Sequence, residues 1–268
     1  MDRKLMFEAE TYPLLQVEKA EELVLAGFEA LPGEEVPILE TLGLVLAEDV
    51  RADMDIPPHH NSAMDGYAVR WEDVAGQSIA RLPVVAEIPA GRPPGHALRS
   101  GEAMRIMTGA VLPEGADTVV RFEDTRIDGP WVEILRVPSR GANVRLAGED
   151  VRRGSTVLPA GTIIRPQEIG MLASVGRKTA WVHRRPLVAI LATGDEVVDI
   201  DAQVLPGQIR NINSYSNAAQ VLRAGGRPLL LGIARDRRDE LVQRLRQGLE
   251  AGADLFLTSG GVSVGDFD

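Results

Sequence analysis

The sequence predicts an α/β protein of several domains, and three observations carry that prediction. After the basic segment Arg184-Arg185-Pro186, strand-like and helix-like runs alternate, which is the order of a parallel sheet with crossover helices. Residues 51–150 instead alternate short β-prone runs with Pro/Gly turns, which is typical of a mostly β module. Residues 14–50 and 151–183 mix helices with short strands. We therefore expect a discontinuous scaffold domain interrupted by the β module, followed by an α/β domain over 184–268.

In the scaffold, the apolar residues at positions 17, 20, 23, 24 and 28 follow helical spacing. They predict a surface helix over 14–30 that packs along one stripe. A short strand is expected at 37–39, after the break at Pro32-Gly33, and a short helix at 40–48. The second scaffold segment predicts a helix over 166–175.

The β module and the α/β domain have different patterns. In the module, the β-prone runs are 84–86, 103–107, 118–122 and 131–137. In the α/β domain, we expect strands at 187–192, 229–233 and 255–258 and helices at 213–224 and 239–250. The second helix carries Leu241, Leu245 and Leu249 on the face that should pack. The sequence stops inside the loop that should open the next helix, so we expect this domain to be incomplete at its C-terminus and the chain to be a fragment.

The composition limits the possible functions. A hydrophobic content of 44% in 268 residues supports sizeable cores. The formal net charge of −10 argues against nucleic acid or an anionic membrane as the main partner. Without cysteine, the chain has no disulfide, thiolate zinc site or cysteine nucleophile. Since no signal-like segment and no run of ~20 apolar residues occurs, we expect a cytoplasmic protein with no membrane partner.

Two strand ends carry residues suited to a phosphate and a divalent cation. After the last predicted strand comes a loop rich in glycine and hydroxyl residues, and after the first comes Thr193-Gly194-Asp195-Glu196. Ligands of open α/β sheets bind outside the carboxyl ends of the strands, and glycine lets backbone N–H groups approach a phosphate. The candidate ligand-binding residues are Thr193, Gly194, Ser259, Gly260, Gly261, Ser263 and Gly265. Candidate Mg²⁺ ligands are Asp195, Glu196 and Asp268. A plain glycine-rich turn, and helix capping by Asp195 and Glu196, are the alternatives.

Five motifs in this order closely resemble a known family. They are the segment 57–69 (Pro-Pro-His-His-Asn-Ser-Ala-Met-Asp-Gly-Tyr-Ala-Val), Arg105 to Ala110, Gly148-Glu149-Asp150, Thr193 to Glu196, and Ser259 to Gly265. Together they resemble the molybdopterin molybdenumtransferases, which comprise the MoeA family and the E domain of gephyrin. The match runs from about residue 14 to the last residue. The resemblance implies that the third domain is of the molybdopterin-binding type.

The resemblance also implies an activity and its partners. Such enzymes take adenylylated molybdopterin and molybdate and, with Mg²⁺, release AMP as molybdenum is placed on the dithiolene. The small-molecule substrate would be handled by a homodimer, with a molybdopterin adenylyltransferase as a further partner. The catalytic positions of the family fall on Asp65, Thr108, Asp150, Glu196, Asp236 and Asp268. In a homodimer, the third domain of one subunit can be completed by the β module of the other.

The chain departs from the family pattern at two places. His60 stands where the family usually has Asp, which removes a carboxylate, although a neutral imidazole can still donate a hydrogen bond. The lysine-bearing Pro-Gly-Lys-Pro segment of the family has no counterpart here. We therefore expect the 268-residue chain alone to bind substrate weakly and to turn over little or nothing.

Simpler explanations remain open for several residues. Asp65 with Gly66 can form an Asx turn, Thr108 with Gly109 can be a plain turn, and Asp150 can pair with Arg145, Arg152 or Arg153. Adjacent His59 and His60 diverge and are not expected to form a zinc site. Two other functions remain as alternatives: a molybdopterin adenylyltransferase or related enzyme, and a non-catalytic or degenerate molybdopterin-binding scaffold.

Overall fold

The computed structural model describes residues 15–260 of the chain. The described residues form two compact units, one of residues 15–35 with 181–260 and the other of residues 36–180. The division into three domains stays a prediction. Within the described residues, the helices are α1 Val17–Leu25, α2 Trp71–Val74, α3 Pro166–Ser174, α4 Asn213–Arg223 and α5 Arg238–Glu250, with 3₁₀ turns at Ile38–Glu40 and Phe122–Asp124.

The strands are short and numerous. In chain order they are β1 Gly33–Pro37, β2 Val50–Arg51, β3 Asn61–Ser62, β4 Gly66–Val69, β5 Ala80–Ile88, β6 Ala103–Ile106, β7 Thr118–Arg121, β8 Thr125–Asp128, β9 Trp131–Ile134, β10 Val144–Arg145, β11 Thr156–Leu158, β12 Thr179–His183, β13 Leu187–Thr193, β14 Val197–Val198, β15 Ile209–Arg210, β16 Arg227–Ala234 and β17 Leu255–Ser259. They form two larger sheets and four two-stranded pairs, namely β1 with β12, β2 with β11, β3 with β10, and β14 with β15.

The unit of residues 36–180 is built on a six-stranded mixed sheet. Its strand order is β7-β4-β6-β5-β9-β8, in which β5 and β6 run parallel and the other neighbours run antiparallel. Both faces of β4 are buried, because Tyr67 and Val69 belong to one apolar cluster while Ala68 belongs to another. Side chains of successive strand residues point to opposite faces, so the apolar run of β4 fits a strand covered on both sides. The predicted mostly β module is confirmed.

Two expectations for residues 37–48 are wrong. The strand lies earlier, at β1, and residues 38–40 form a 3₁₀ turn closed by hydrogen bonds from Thr41 N and Oγ1 to the Ile38 carbonyl. No helix forms at 40–48, since Gly43 has φ +78° and the backbone bonds to residues 161–164 instead. The Leu44 carbonyl accepts from Ile164 N–H, and Leu46 donates to the Thr162 carbonyl and accepts from Gly161 N–H. Leu44 and Leu46 are both buried while Val45 is only half-buried, which is the two-residue alternation of an extended segment. The helix at 166–175 is confirmed as α3.

In the other unit, a three-stranded parallel sheet lies between two helices. The order is β16-β13-β17, and β13 alternates its buried side chains between the two faces. Ala189 and Leu191 pack with residues of α5, while Val188 and Ile190 pack with residues of α4. Every strand and helix predicted between residues 187 and 258 is present within about two residues of its expected bounds. The predicted parallel α/β architecture is therefore confirmed.

Two packing details of this unit differ from expectation. Leu249 is 63% exposed, and the buried residue on that part of α5 is Gly248, which lies against the ring of Phe256. The helix at 14–30 is shorter, at α1, and no residue of α1 is buried by the described part of the chain. Val17, Leu23, Val24 and Phe28 are all more than half exposed. Over residues 15–260, none of the helices has the length and apolar character needed to cross a membrane.

Candidate functional site

Asp65 and Thr108 meet at one end of the neighbouring strands β4 and β6 of the six-stranded sheet. One carboxylate oxygen of Asp65 accepts two hydrogen bonds from Thr108, from the backbone N–H and from the hydroxyl, each at 2.7 Å. We call these two residues the acid-threonine pair. The antiparallel pairing of β4 with β6 brings together residues that are 43 positions apart in the chain. Asp65 therefore bonds across strands.

Several contacts hold the acid-threonine pair in place. Gly109, with φ +80°, donates its N–H to the Ser62 carbonyl at 2.8 Å, which ties the two loops together. A Cβ on Gly66 would collide with the carbonyl oxygen of Val120, so only glycine lets β7 approach β4 here. The Asp-Gly sequence thus reflects the close approach of two strands, and the Thr-Gly sequence reflects a backbone with positive φ.

The electrostatics of the pair favour an ionised acid. The Thr108 backbone N–H lowers the pKa of Asp65 most, followed by the Thr108 hydroxyl, while partial desolvation opposes them and Arg105 adds a smaller lowering. Hydrogen bonds to a carboxylate stabilise its charged form. Asp65 is exposed, so it presents a fixed negative charge to solvent.

Asp150 and His60 lie on two further loops of the same unit, one after β10 and one before β3. The Asp150 side chain is exposed, and none of the ion pairs among residues 15–260 joins it to Arg145, Arg152 or Arg153. His60 Nδ1 accepts a hydrogen bond from the Ala147 N–H at 2.9 Å. The imidazole therefore anchors the loop that leads to Asp150 through Nδ1. Among the described contacts, none joins Asp150 to the acid-threonine pair.

The carboxyl ends of β13 and β17 bring together the predicted ligand-binding residues. Thr193 Oγ1 donates to the Ser259 carbonyl at 3.1 Å, and a Cβ on Gly260 would lie 2.5 Å from that hydroxyl. Gly194 and Gly260 have φ values of +133° and +103°, which favour glycine. A Cβ on Gly194 would collide with the Glu196 carboxylate, so this acid folds back over the strand end.

Two further predicted acids of this unit, Asp195 and Asp236, follow the ends of β13 and the neighbouring β16. Asp195 Oδ1 accepts a long hydrogen bond of 3.4 Å from the Asp236 N–H, and both side chains are exposed. Four predicted residues, Gly261, Ser263, Gly265 and Asp268, lie outside the described residues. Over residues 15–260, no three His, Asp or Glu side chains cluster closely enough to hold a metal ion by themselves.

A cavity of about 390 Å³ opens at this edge of the parallel sheet. It is lined by four predicted residues, Thr193, Glu196, Ser259 and Gly260, and by residues that sequence reasoning missed. Those missed residues include Arg210, Asn211 and Asn213, which precede or begin α4. The sequence could have indicated them, because they lie between the first strand and the helix that follows it. Such connections lie at the carboxyl ends of the strands in a parallel sheet, where ligands bind. A larger depression of about 850 Å³ on the outer face of α5 has none of the predicted residues.

Buried polar groups line the start of α4. Asn211 is 6% exposed and its Oδ1 accepts from the Ser214 N–H at 3.2 Å. This bond satisfies one of the free N–H groups of the first helical turn. The cavity therefore offers a hydroxyl, a carboxylate, a guanidinium and amide groups around one opening.

Comparisons with known proteins agree with both units. Residues 15–176 match the family described as "MoeA N-terminal region (domain I and II)", and residues 189–268 match "Probable molybdopterin binding domain". The chain is 46% identical over 229 residues to a molybdopterin molybdenumtransferase of Nostoc sp., with 84% of this chain and 52% of the relative covered. It is 38% identical over 242 residues to that of Bacillus subtilis, with 88% and 56% covered.

A solved structure shares the fold. The crystal structure of a molybdopterin biosynthesis MoeA protein from Pyrococcus horikoshii superposes with a TM-score of 0.86 at 33% identity, covering 93% of this chain and 67% of that chain. The chain spans about half the length of the curated relatives it matches. From the two family matches and the shared fold, it follows that this chain belongs to the MoeA family.

Proposed function

We propose that the protein works in molybdenum cofactor biosynthesis as a molybdopterin molybdenumtransferase. Its substrates are adenylylated molybdopterin and molybdate, and AMP is released as molybdenum is placed on the dithiolene. The observation that carries the proposal is the cavity at the carboxyl edge of β13 and β17, lined by Thr193, Glu196, Ser259 and Gly260. It lies in the part of the chain that matches a molybdopterin-binding family. Action as a homodimer in the cytoplasm, with an adenylyltransferase as supplier, is part of the same proposal.

The side chains at the strand ends suit Mg²⁺. Asp195 and Glu196 are exposed neighbouring acids, and the only described hydrogen bond to either carboxylate is the long one from Asp236 N–H. Mg²⁺ commonly takes one or two carboxylates and completes its shell with water and substrate phosphates, so a cluster of three protein ligands is not required. When bound, it supplies charge neutralisation for a phosphoanhydride that is being cleaved.

The residues of the chain itself have to bind and orient two anions. The backbone around Gly260 lies where a phosphate can accept hydrogen bonds, and the positive φ of Gly260 keeps that backbone close to the strand end. The Thr193 hydroxyl supports this backbone by donating to the Ser259 carbonyl. Arg210, at the cavity wall, adds a positive charge. Fixing the phosphoanhydride in one orientation is the contribution we assign to these groups.

The test is AMP release from adenylylated molybdopterin with molybdate and Mg²⁺. It is run on the 268-residue chain and on the gene product read to its natural stop codon. Glu196→Gln should lower AMP release at least tenfold, because it removes a charge at the cavity that Mg²⁺ would use. Glu250→Gln, an exposed residue at the end of α5, is the matched control and should leave the rate unchanged. Tight molybdopterin binding without AMP release by either wild-type form would favour the scaffold alternative.

A further inference from the structure

Arg105 has hydrogen-bonding capacity that the described protein does not use. This β6 residue has a side chain that is 41% exposed, and its Nη1 lies 3.6 Å from Glu87 Oε2, which is too long for a hydrogen bond. Its Nε is buried without a partner among the described residues. A guanidinium has five N–H donors, and a buried donor left unmade costs free energy. Nε is closed off from solvent, so the donors open to a partner from outside the described chain are the Nη groups, which form no hydrogen bond with residues 15–260.

The guanidinium is nevertheless held in position. It lies over the ring of Phe122 at 5.2 Å, and that ring packs edge-on against Tyr67 with centroids 5.5 Å apart. Strand register places Arg105 between Glu87 on β5 and Tyr67 on β4, so all three share one face of the sheet. The stacking fixes the orientation of the cation, and its donors remain available.

Three other arginines of the same unit do form hydrogen bonds with carboxylates. Arg121 donates from Nε and Nη2 to Asp124 at 3.0 and 2.8 Å, although its side chain is 42% exposed, much like that of Arg105. Arg126 and Arg140 likewise donate from Nε to Glu133 and Asp117, at 2.8 and 2.9 Å. Arg105 differs from these residues in its hydrogen bonding, while its exposure matches that of Arg121.

Arg105 also lies next to the acid-threonine pair. It precedes Thr108 by three residues on the same strand and loop, and its charge is among the influences that lower the pKa of Asp65. An anionic substrate that approaches Asp65 is repelled by the carboxylate, and a nearby guanidinium offsets that repulsion. Guanidinium groups bind tetrahedral oxyanions through paired N–H donors.

We propose that Arg105 is a substrate-binding residue that donates hydrogen bonds to a tetrahedral oxyanion beside Asp65 and Thr108. The oxyanion is either molybdate or a phosphate of adenylylated molybdopterin. This inference rests on the proposed function for the identity of the anion. The unused donors and the fixed guanidinium of Arg105 do not depend on it.

Three variants test the proposal in the full-length protein. Arg105→Met removes the charge and keeps an apolar stem against Phe122, Arg105→Lys keeps the charge without the planar fork, and Arg121→Met is the control matched in exposure and sheet. We expect Arg105→Met to raise the KM for one of the two substrates about tenfold or more, and Arg105→Lys to restore part of the loss. The substrate whose KM rises identifies the oxyanion. Unfolding midpoints of all three variants show that the fold is kept.

A binding assay separates this inference from the proposed function. Calorimetric titration with molybdate alone, and with inorganic pyrophosphate alone, requires no turnover. If the wild-type protein binds one of them and Arg105→Met loses it, the inference stands even where no AMP is released. If Arg121→Met lost anion binding to the same extent, the effect would come from the overall positive charge near the sheet and not from Arg105 itself. That result would overturn the proposal. Unchanged binding and unchanged KM values would overturn the proposal as well. It would also be overturned if Arg105→Met changed only the oligomeric mass of the protein in solution.

Discussion

Thr108 controls the charge of Asp65 through two separate donors, and one of them can be removed alone. Thr108→Val deletes the hydroxyl and leaves the backbone N–H bond. The pKa of Asp65 should therefore rise towards its ordinary value without reaching it, since the larger of the two lowering contributions remains. An NMR titration of the Asp65 carboxyl carbon measures the change. Thr108→Ser is the control and should titrate like wild type; identical curves for Val and wild type would contradict the assigned role of the hydroxyl.

Sequence motifs identified these residues, but the reason for their proximity is a matter of strand order. Asp65 and Thr108 were predicted as site residues on a resemblance, and a single sequence does not show that β4 pairs with β6. For the same reason, Asp-Gly suggested a local turn, whereas Gly66 is required by the carbonyl of Val120 on β7. Arg105 was also missed, since an unused donor becomes visible only when all partners of a side chain are known.

At the scale of elements, Gly248 sets how closely α5 packs on the parallel sheet. A Cβ there would lie 2.5 Å from the Phe256 ring and 3.2 Å from Leu231. Alanine has the better helix propensity, by about 1 kcal/mol, while overpacking a core costs about 1–3 kcal/mol. We expect Gly248→Ala to lower the free energy of unfolding by about 1 kcal/mol. Urea denaturation measures it.

Gly170→Ala is the matched control for that variant. Gly170 lies inside α3, with open space at its Cβ position and no positive φ. Propensity alone should therefore raise the free energy of unfolding by up to about 1 kcal/mol. If both variants changed stability in the same direction and by the same amount, contact between Gly248 and Phe256 would not limit the packing of α5.

Elements with long periodic patterns were predicted well, and short ones were not. The strands and helices between residues 187 and 259 were recovered because each is buried against a neighbour with the same repeat. The helix expected at 40–48 failed because Leu44 and Leu46 are buried two residues apart and pair with a segment more than 100 residues away. Leu249 fits the helical spacing of Leu241 and Leu245, so the sequence predicted that it packs inwards. The position of the Phe256 ring shows that Gly248 faces the sheet instead.

At the scale of the molecule, one ion pair ties the start of the parallel sheet together. Arg184, just before β13, donates to Asp254, which precedes β17, at 2.7 Å. Asp254 also accepts from the Leu187 N–H at 2.8 Å. These two segments are 70 residues apart, so the pair closes the unit at the end of the sheet opposite the cavity. No sequence pattern indicated it, because isolated Arg and Asp residues before strands are common and usually solvated.

This ion pair predicts how stability depends on pH. The Arg184 guanidinium, followed by the Leu187 N–H, lowers the pKa of Asp254 to about 2, below the ordinary value of 3.8. A carboxyl whose pKa is lower in the folded state stabilises the fold above its unfolded pKa, and that contribution is lost as the pH falls through the folded value. The contribution should therefore be complete above about pH 5 and largely disappear towards pH 2. Because the pair is partly exposed, we expect it to be worth about 1 kcal/mol. Denaturation of wild type and Asp254→Asn across this range should give curves that differ at pH 6 and converge near pH 2, whereas a constant difference would mean that the lost stability comes from packing and not from the charge of Asp254.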